Sequence, residues 1–145
     1  MLFRSQVLTV LPRLFEYTVI DCETSYDDKA LAVLDRADAI LLVLTLDLGA
    51  MHNAKNFLQL ADRLGYARRK IDFVLNRTNA RVALSPADIE QALGPGRYFR
   101  VDSHPQAIAT GRNLGKPAVL SQPRSQFTRE ILNIANHVSS GNGAS

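Results

Sequence analysis

Four short, largely apolar runs, at residues 17–22, 39–46, 71–75 and 98–101, alternate along the chain with segments whose apolar positions recur every three or four residues. That alternation predicts a parallel β-sheet covered by helices on both faces, an α/β fold. In the second run Ile40, Leu41, Leu42, Val43 and Leu44 follow one another with no polar alternation, so both of its faces are expected to be buried and the strand is expected in the sheet interior. Ala50, Ala54, Phe57, Leu58 and Ala61 mark a helix that Gly65 closes. Ser85-Pro86-Ala87-Asp88 opens another, with serine as N-cap, proline at the first helical position and an acid at the positive end of the helix dipole. A last helix, over 126–138, places Phe127, Ile131, Leu132, Ala135 and Val138 on one side. Its polar face carries few cations, so packing on the sheet is favoured over a peripheral membrane contact. Residues 1–138 read as one α/β domain and 139–145 as a flexible tail rich in Ser and Gly.

Composition narrows the setting. With 145 residues, 46% of them hydrophobic, the chain has enough apolar material for one domain with a core. Its single cysteine, Cys22, cannot form an internal disulfide, which fits a reducing, cytoplasmic setting. No apolar stretch reaches the roughly 20 residues that span a bilayer. The run from Val7 is broken by Pro12 and flanked by Arg4 and Arg13, so it reads neither as a signal peptide nor as a membrane helix. The net charge of +3 comes from 17 basic residues scattered among 14 acidic ones. Arg68, Arg69 and Lys70 form the one basic cluster, at an expected helix-to-strand loop, and it is too small to argue for nucleic acid.

In an open parallel sheet, ligands bind beyond the carboxyl ends of the strands. Here every such end is polar: Asp21, Cys22, Glu23, Thr24 and Ser25 after the first run, Thr45, Asp47 and Gly49 after the second, Asn76, Arg77 and Thr78 after the third, and Asp102, Ser103 and His104 after the fourth. An acid closing a short apolar run, as Asp21 does, can sit beside Mg²⁺. The same acid can equally form a turn or cap a helix. A phosphate-binding loop needs spaced glycines followed by Lys-Ser/Thr. The nearest string, Gly111-Arg-Asn-Leu-Gly115-Lys116-Pro117, has its glycines one residue too close, proline in place of Ser/Thr, and no strand leading in. It reads as a helix end at Gly115, with Pro117 blocking continuation. His52, His104 and His137 show no metal-ligand spacing and read as surface or capping residues. Asp27-Asp28 with Lys116-Pro117 is similar to the acidic pair and Lys-Pro of phospho-receiver domains, but these acids do not end the first strand nor this lysine the last.

Taken together, the strand ends resemble the MinD/ParA class of P-loop ATPases, and within it the ATPase-like proteins of Flp/tight-adherence pilus assembly. The resemblance runs through Tyr17-Thr-Val-Ile-Asp21, Leu31-Ala-Val-Leu-Asp35-Arg-Ala-Asp38, Leu42-Val-Leu-Thr-Leu-Asp47, Asn53-Ala-Lys55, Phe73-Val-Leu-Asn76-Arg77 and Asn113-Leu-Gly115-Lys116-Pro117, over roughly residues 7–135. It implies a three-layer α/β/α P-loop NTPase-like fold lacking the P-loop strand, so that the chain corresponds to the C-terminal half. It further implies that Asp21 sits near Mg²⁺ and the γ-phosphate, that Asn76 hydrogen-bonds the base, and that Arg77, Asp102, Ser103 and His104 line the nucleotide edge. This sequence departs from the family in its Cys22-Glu23-Thr24-Ser25 turn, where Glu23 adds negative charge beside the expected phosphate position, and in carrying His104 where the family has an acid.

The expectation is a pseudo-ATPase interaction or localisation domain with protein partners in pilus or secretion assembly, binding no cofactor by itself. The alternative is the C-terminal part of an active ATPase whose P-loop lies upstream, with ATP and Mg²⁺ as cofactors; Met1 as the true start would favour the former. A missing central strand also leads to an expectation of self-association or of a strand supplied by another polypeptide.

Overall fold

The computed structural model describes residues 2–23, 26–80 and 83–140, with side chains from Val7 onward. It divides into two compact units, Met1–Asp38 and Ala39–Ser145. The first holds α1 (Leu2–Leu14) and α2 (Asp28–Arg36), which contact each other. The Asp27 side chain accepts the backbone N–H groups of Lys29 at 3.1 Å and Ala30 at 2.9 Å, which makes it the N-cap of α2. Thr24 and Ser25, half of the expected turn after Asp21, lie outside the described residues.

The strand expected at 17–22 does not form: residues 17–23 enter no ladder, and Tyr17, Val19 and Ile20 are exposed, Val19 by 95%. A β-strand is defined by its neighbour's hydrogen bonds, and apolar β-branched composition alone does not supply one.

The second unit carries a parallel three-stranded sheet in the order β1-β2-β3, with β1 at Ile40–Thr45, β2 at Ile71–Asn76 and β3 at Tyr98–Val101. Ile40 is opposite Ile71 and Thr45 opposite Asn76, while Phe73 is opposite Tyr98 and Asn76 opposite Val101. The central strand is β2, buried from Ile71 through Leu75. The interior position expected for β1 is therefore corrected: β1 is an edge strand, and Leu41 and Val43 are exposed by 38% and 59%. A continuous apolar run identifies a strand but does not say which strand the chain places in the middle.

Helices lie on both faces of this sheet. On one side α3 (Leu48–Arg63) contributes buried Ala54, Phe57 and Ala61, and α4 (Pro86–Leu93) contributes buried Ile89 and Leu93. Arg100 of β3 donates to Glu90 of α4 at 2.7 Å on that side. On the other side α7 (Gln126–Ser139) sets Phe127, Ile131 and Ile134 against Val74, Phe99 and Val101. The buried face of α7 is rotated from the expected one: Thr128, Ile134 and His137 are buried, while Leu132 and Ala135 are exposed. Between β3 and α7 come α5 (Pro105–Asn113) and the short α6 (Ala118–Ser121).

The local stop signals act as their residue types require. Ser85 and Asp88 form a reciprocal capping box, with Pro86 at the first helical position. Gly115 takes a left-handed φ of 61° after α5, which a side chain would strain. Gly111 is inside α5 for a different reason: a Cβ there would come within 2.8 Å of the Lys116 carbonyl oxygen. Helix α7 runs through Ser139, the first residue of the expected tail, and residues 141–145 of that expectation lie outside the described residues. Among the described residues no helix is long and apolar enough to cross a membrane.

Candidate functional site at the carboxyl ends of the strands

Asn76 and Val101 are register partners at the ends of β2 and β3, so the two chain segments that leave the sheet there start side by side. Five of the six expected site residues, Asn76, Arg77, Asp102, Ser103 and His104, belong to these two exits. Arg77 has φ 59°, in the left-handed region that a side chain disfavours by about 1 kcal/mol. This conformation turns the chain sharply off the strand. Thr78 then donates its N–H to the Val101 carbonyl at 3.2 Å, and Ala80 its N–H to the Arg77 carbonyl at 3.0 Å.

The β3 exit is tied to the β2 exit and to α7 by side chains. The Thr78 hydroxyl donates to Asp102 Oδ1, and the Ser103 N–H donates to Asn79 Oδ1 at 2.7 Å. Glu130, one turn into α7, accepts through Oε2 both the Asp102 N–H at 3.1 Å and His104 Nε2 at 2.9 Å. Gln126 Nε2 donates to Glu130 Oε1 at 2.8 Å and to Asp102 Oδ2 at 3.2 Å. His104 also meets the Phe127 ring edge-on, with centroids 5.7 Å apart. It stands at the N-cap position of α5 without a capping bond of its own, because the carboxylate of Glu130 takes its ring nitrogen.

Glu130 and Gln126 were not anticipated. Their spacing of four along a helix is visible in the sequence, but their closeness to Asp102 and His104 joins segments more than twenty residues apart. Among the described residues, neither the Asn76 amide nor the Arg77 guanidinium takes a hydrogen-bond partner. Asn76 is half-buried and Arg77 exposed. An amide presents one donor edge and one acceptor edge, which suits the paired donor and acceptor of a purine's edge.

The remaining expected residues stand elsewhere. Asp21 lies in the Met1–Asp38 unit, exposed, on an irregular segment. Among the described residues no three His, Cys, Asp or Glu side chains are grouped to hold a metal ion. Asp47, past the end of β1, accepts the Thr45 hydroxyl at 2.6 Å and the Ala50 N–H at 2.8 Å. Those bonds, the hydroxyl first, hold its carboxyl below the usual range and make it the N-cap of α3.

Of the histidines, His52 is exposed as expected, but His137 is not a surface residue. Its Nε2 meets Asp72 Oδ2 at 2.7 Å, with both side chains under a tenth exposed. At that same amino end of the sheet, Arg68 lies over the Phe73 ring at 4.6 Å, and Phe73 stacks on Tyr98 at 4.6 Å. Tyr98 donates its hydroxyl to the Gly94 carbonyl at 2.7 Å, and burial pushes its pKa up.

Neither a protein-family model nor a curated protein matches the sequence. The backbone, however, is similar to the crystal structure of a ParA family ATPase from Chlorobium tepidum TLS, with a TM-score of 0.81 and 22% sequence identity. The match covers 92% of this chain and 55% of that one, so this chain spans little more than half the length of the protein it resembles. With its parallel sheet flanked by helices and this course of the backbone, the chain carries a ParA/MinD-like fold.

Proposed function

We propose that these 145 residues act as a non-catalytic interaction or localisation domain of ParA/MinD type, docking cytoplasmic protein partners of a pilus or secretion assembly rather than hydrolysing ATP unaided. The observation that carries this reading is the rim itself. Asp102, Ser103, His104, Gln126 and Glu130 are bonded to one another and to Thr78 and Asn79, so much of the polar surface beyond β2 and β3 is already engaged. The sequence offers no glycine-rich loop to grip a triphosphate. Glu23 beside Asp21 would repel one. Isothermal titration with ATP and Mg²⁺ tests the proposal: no saturable heat is expected up to about 1 mM nucleotide, and micromolar binding by the chain alone overturns it.

A second reading has one observation in its favour. Asn76 and Arg77 are unpaired among the described residues and suited to a base. In a longer polypeptide whose phosphate-binding loop lies upstream, they would hold the purine of ATP while Asp21 approached Mg²⁺. Restored, Mg²⁺-dependent ATP binding on adding such a segment, lost again in Asn76→Ala, would favour this reading over the first.

A further inference from the structure

From Ser103 to Arg129 the chain carries no aspartate or glutamate, its longest stretch without an acid, yet it carries the cations Arg112, Lys116, Arg124 and Arg129. Over the whole chain, by contrast, 17 basic residues are offset by 14 acidic ones. Glu130, the one acid beyond this stretch, is held in the rim by Asp102, His104 and Gln126. All four cations are exposed, and among the described residues none of them forms an ion pair.

Two leucines stand among these cations, Leu114 exposed by 59% and Leu120 by 69%. The corner between α5 and α6 holds them in place. Lys116 donates its N–H to the Gly111 carbonyl at 2.9 Å, and α6 approaches α5 so closely at Gly111 that a Cβ there would come within 2.9 Å of Ala118 Cα. The Thr128 hydroxyl bonds the Gln122 carbonyl at 2.7 Å, which fastens the exit of α6 to the first turn of α7. A helix as short as α6 has no stability of its own, so these contacts are what fix Leu120. The corner therefore presents ordered apolar side chains among uncompensated cations, and a surface ordered beforehand loses little entropy on binding.

We propose that the α5–α6 corner, with Arg112, Leu114, Lys116, Leu120 and Arg124, is the docking surface for an acidic amphipathic helix of a protein partner. Charge complementarity selects the carboxylates, and the leucines select apolar residues at helical spacing. A nucleic-acid backbone would use the cations and leave both leucines in water. An anionic bilayer would use both, but a single myristoyl chain holds a protein there only marginally, and two leucine side chains bury fewer carbons than that. The proposal rests on the interaction-domain reading above and gives its partner a chemistry. The ATP titration tests that reading and the peptide below tests this surface, so that either can fail without the other.

Fluorescence anisotropy of a labelled synthetic peptide of Glu, Ala and Leu, with leucines at i, i+3, i+4 and i+7, tests it on the full chain. Saturable binding with a dissociation constant below about 200 µM is expected at about 0.1 M salt. Lys116→Glu and Arg124→Glu should each raise the constant at least about fivefold, and Leu120→Ser at least about threefold. Arg63→Glu makes the same change in net charge at an exposed site on α3 and should leave the constant within about twofold. All four positions are exposed, and unchanged circular dichroism of the variants shows that folding is not the cause. Absence of saturable binding to the wild type overturns the proposal. So does equal weakening by Arg63→Glu, which would reduce the effect to net charge, and so does an indifferent Leu120→Ser, which would leave a purely ionic contact. Sedimentation with phosphatidylserine vesicles supplies the last arm: a chain that pellets with the vesicles and ignores the peptide docks on lipid, and the proposal fails.

Discussion

At the amino end of the sheet Asp72 and His137 meet at 2.7 Å with side chains 9% and 8% exposed, whereas at the carboxyl end Glu130 and His104 meet at 2.9 Å with side chains 16% and 17% exposed. Both pairs use α7, and Glu130 and His137 are seven residues apart, two turns along one helix stripe. The helix is therefore fastened to the sheet at both of its ends. The surroundings differ. Around Asp72 lie fully packed groups, with the Phe99 ring 5.3 Å from His137. Around Glu130 gather the Asp102 N–H, the Gln126 amide and, through that amide, the Asp102 carboxylate, with the left-handed Arg77 at the neighbouring strand exit. A buried pair in an apolar setting reads as a fold determinant, while a polar cluster at the strand ends beside a disfavoured backbone conformation reads as a functional rim.

The largest effect that would test this division comes from Asp72→Ala. Removing one partner of a buried pair leaves the other polar group uncompensated, and about 3–5 kcal/mol of unfolding free energy should be lost, measured by urea denaturation. If the loss is under about 1 kcal/mol, the amino-end pair is not a fold determinant and the contrast fails. Glu130→Ala should cost less, about 1.5–3 kcal/mol, because water can reach part of the rim and replace lost bonds. A loss equal to that of Asp72→Ala would erase the distinction between the ends. The smallest effect is expected to have the opposite sign. Arg77→Gly removes the left-handed penalty, and the chain should unfold at an unchanged or slightly higher urea concentration, by up to about 0.5 kcal/mol. A clear loss of stability would mean that the Arg77 side chain is part of the packing rather than held for a ligand.

Much of unit 39–145 was readable because its signals are local. The four apolar residues of β2, the capping box at Ser85 and Asp88, and Gly65 and Gly115 past helix ends each state their conformation within a few residues. The placing of Asn76, Arg77, Asp102, Ser103 and His104 at the carboxyl ends of β2 and β3 was readable for the same reason, because each closes or follows an apolar run. What could not be read was the choice of neighbours. Residues 17–22 have strand composition but no strand beside them, and Ile40-Leu-Leu-Val-Leu44 is apolar enough for an interior position yet ends at an edge. On α7 the polar residues Thr128 and His137 are buried and the apolar Leu132 is exposed, a choice of face that gives buried His137 its partner Asp72. Glu130 reached the rim through a contact 28 residues long, which no periodicity announces.

The claim on which the functional reading rests is that the rim is bonded to itself through Glu130, and long-range ¹⁵N–¹H correlation spectra of the histidine rings address it directly. An ionised carboxylate only accepts, so with Glu130 ionised His104 Nε2 is the donor. The wild type should show a slowly exchanging Nε2 proton on His104 that disappears in Glu130→Ala while the His137 signal is unchanged. A His104 ring that exchanges freely in the wild type, or one indifferent to Glu130, contradicts the account.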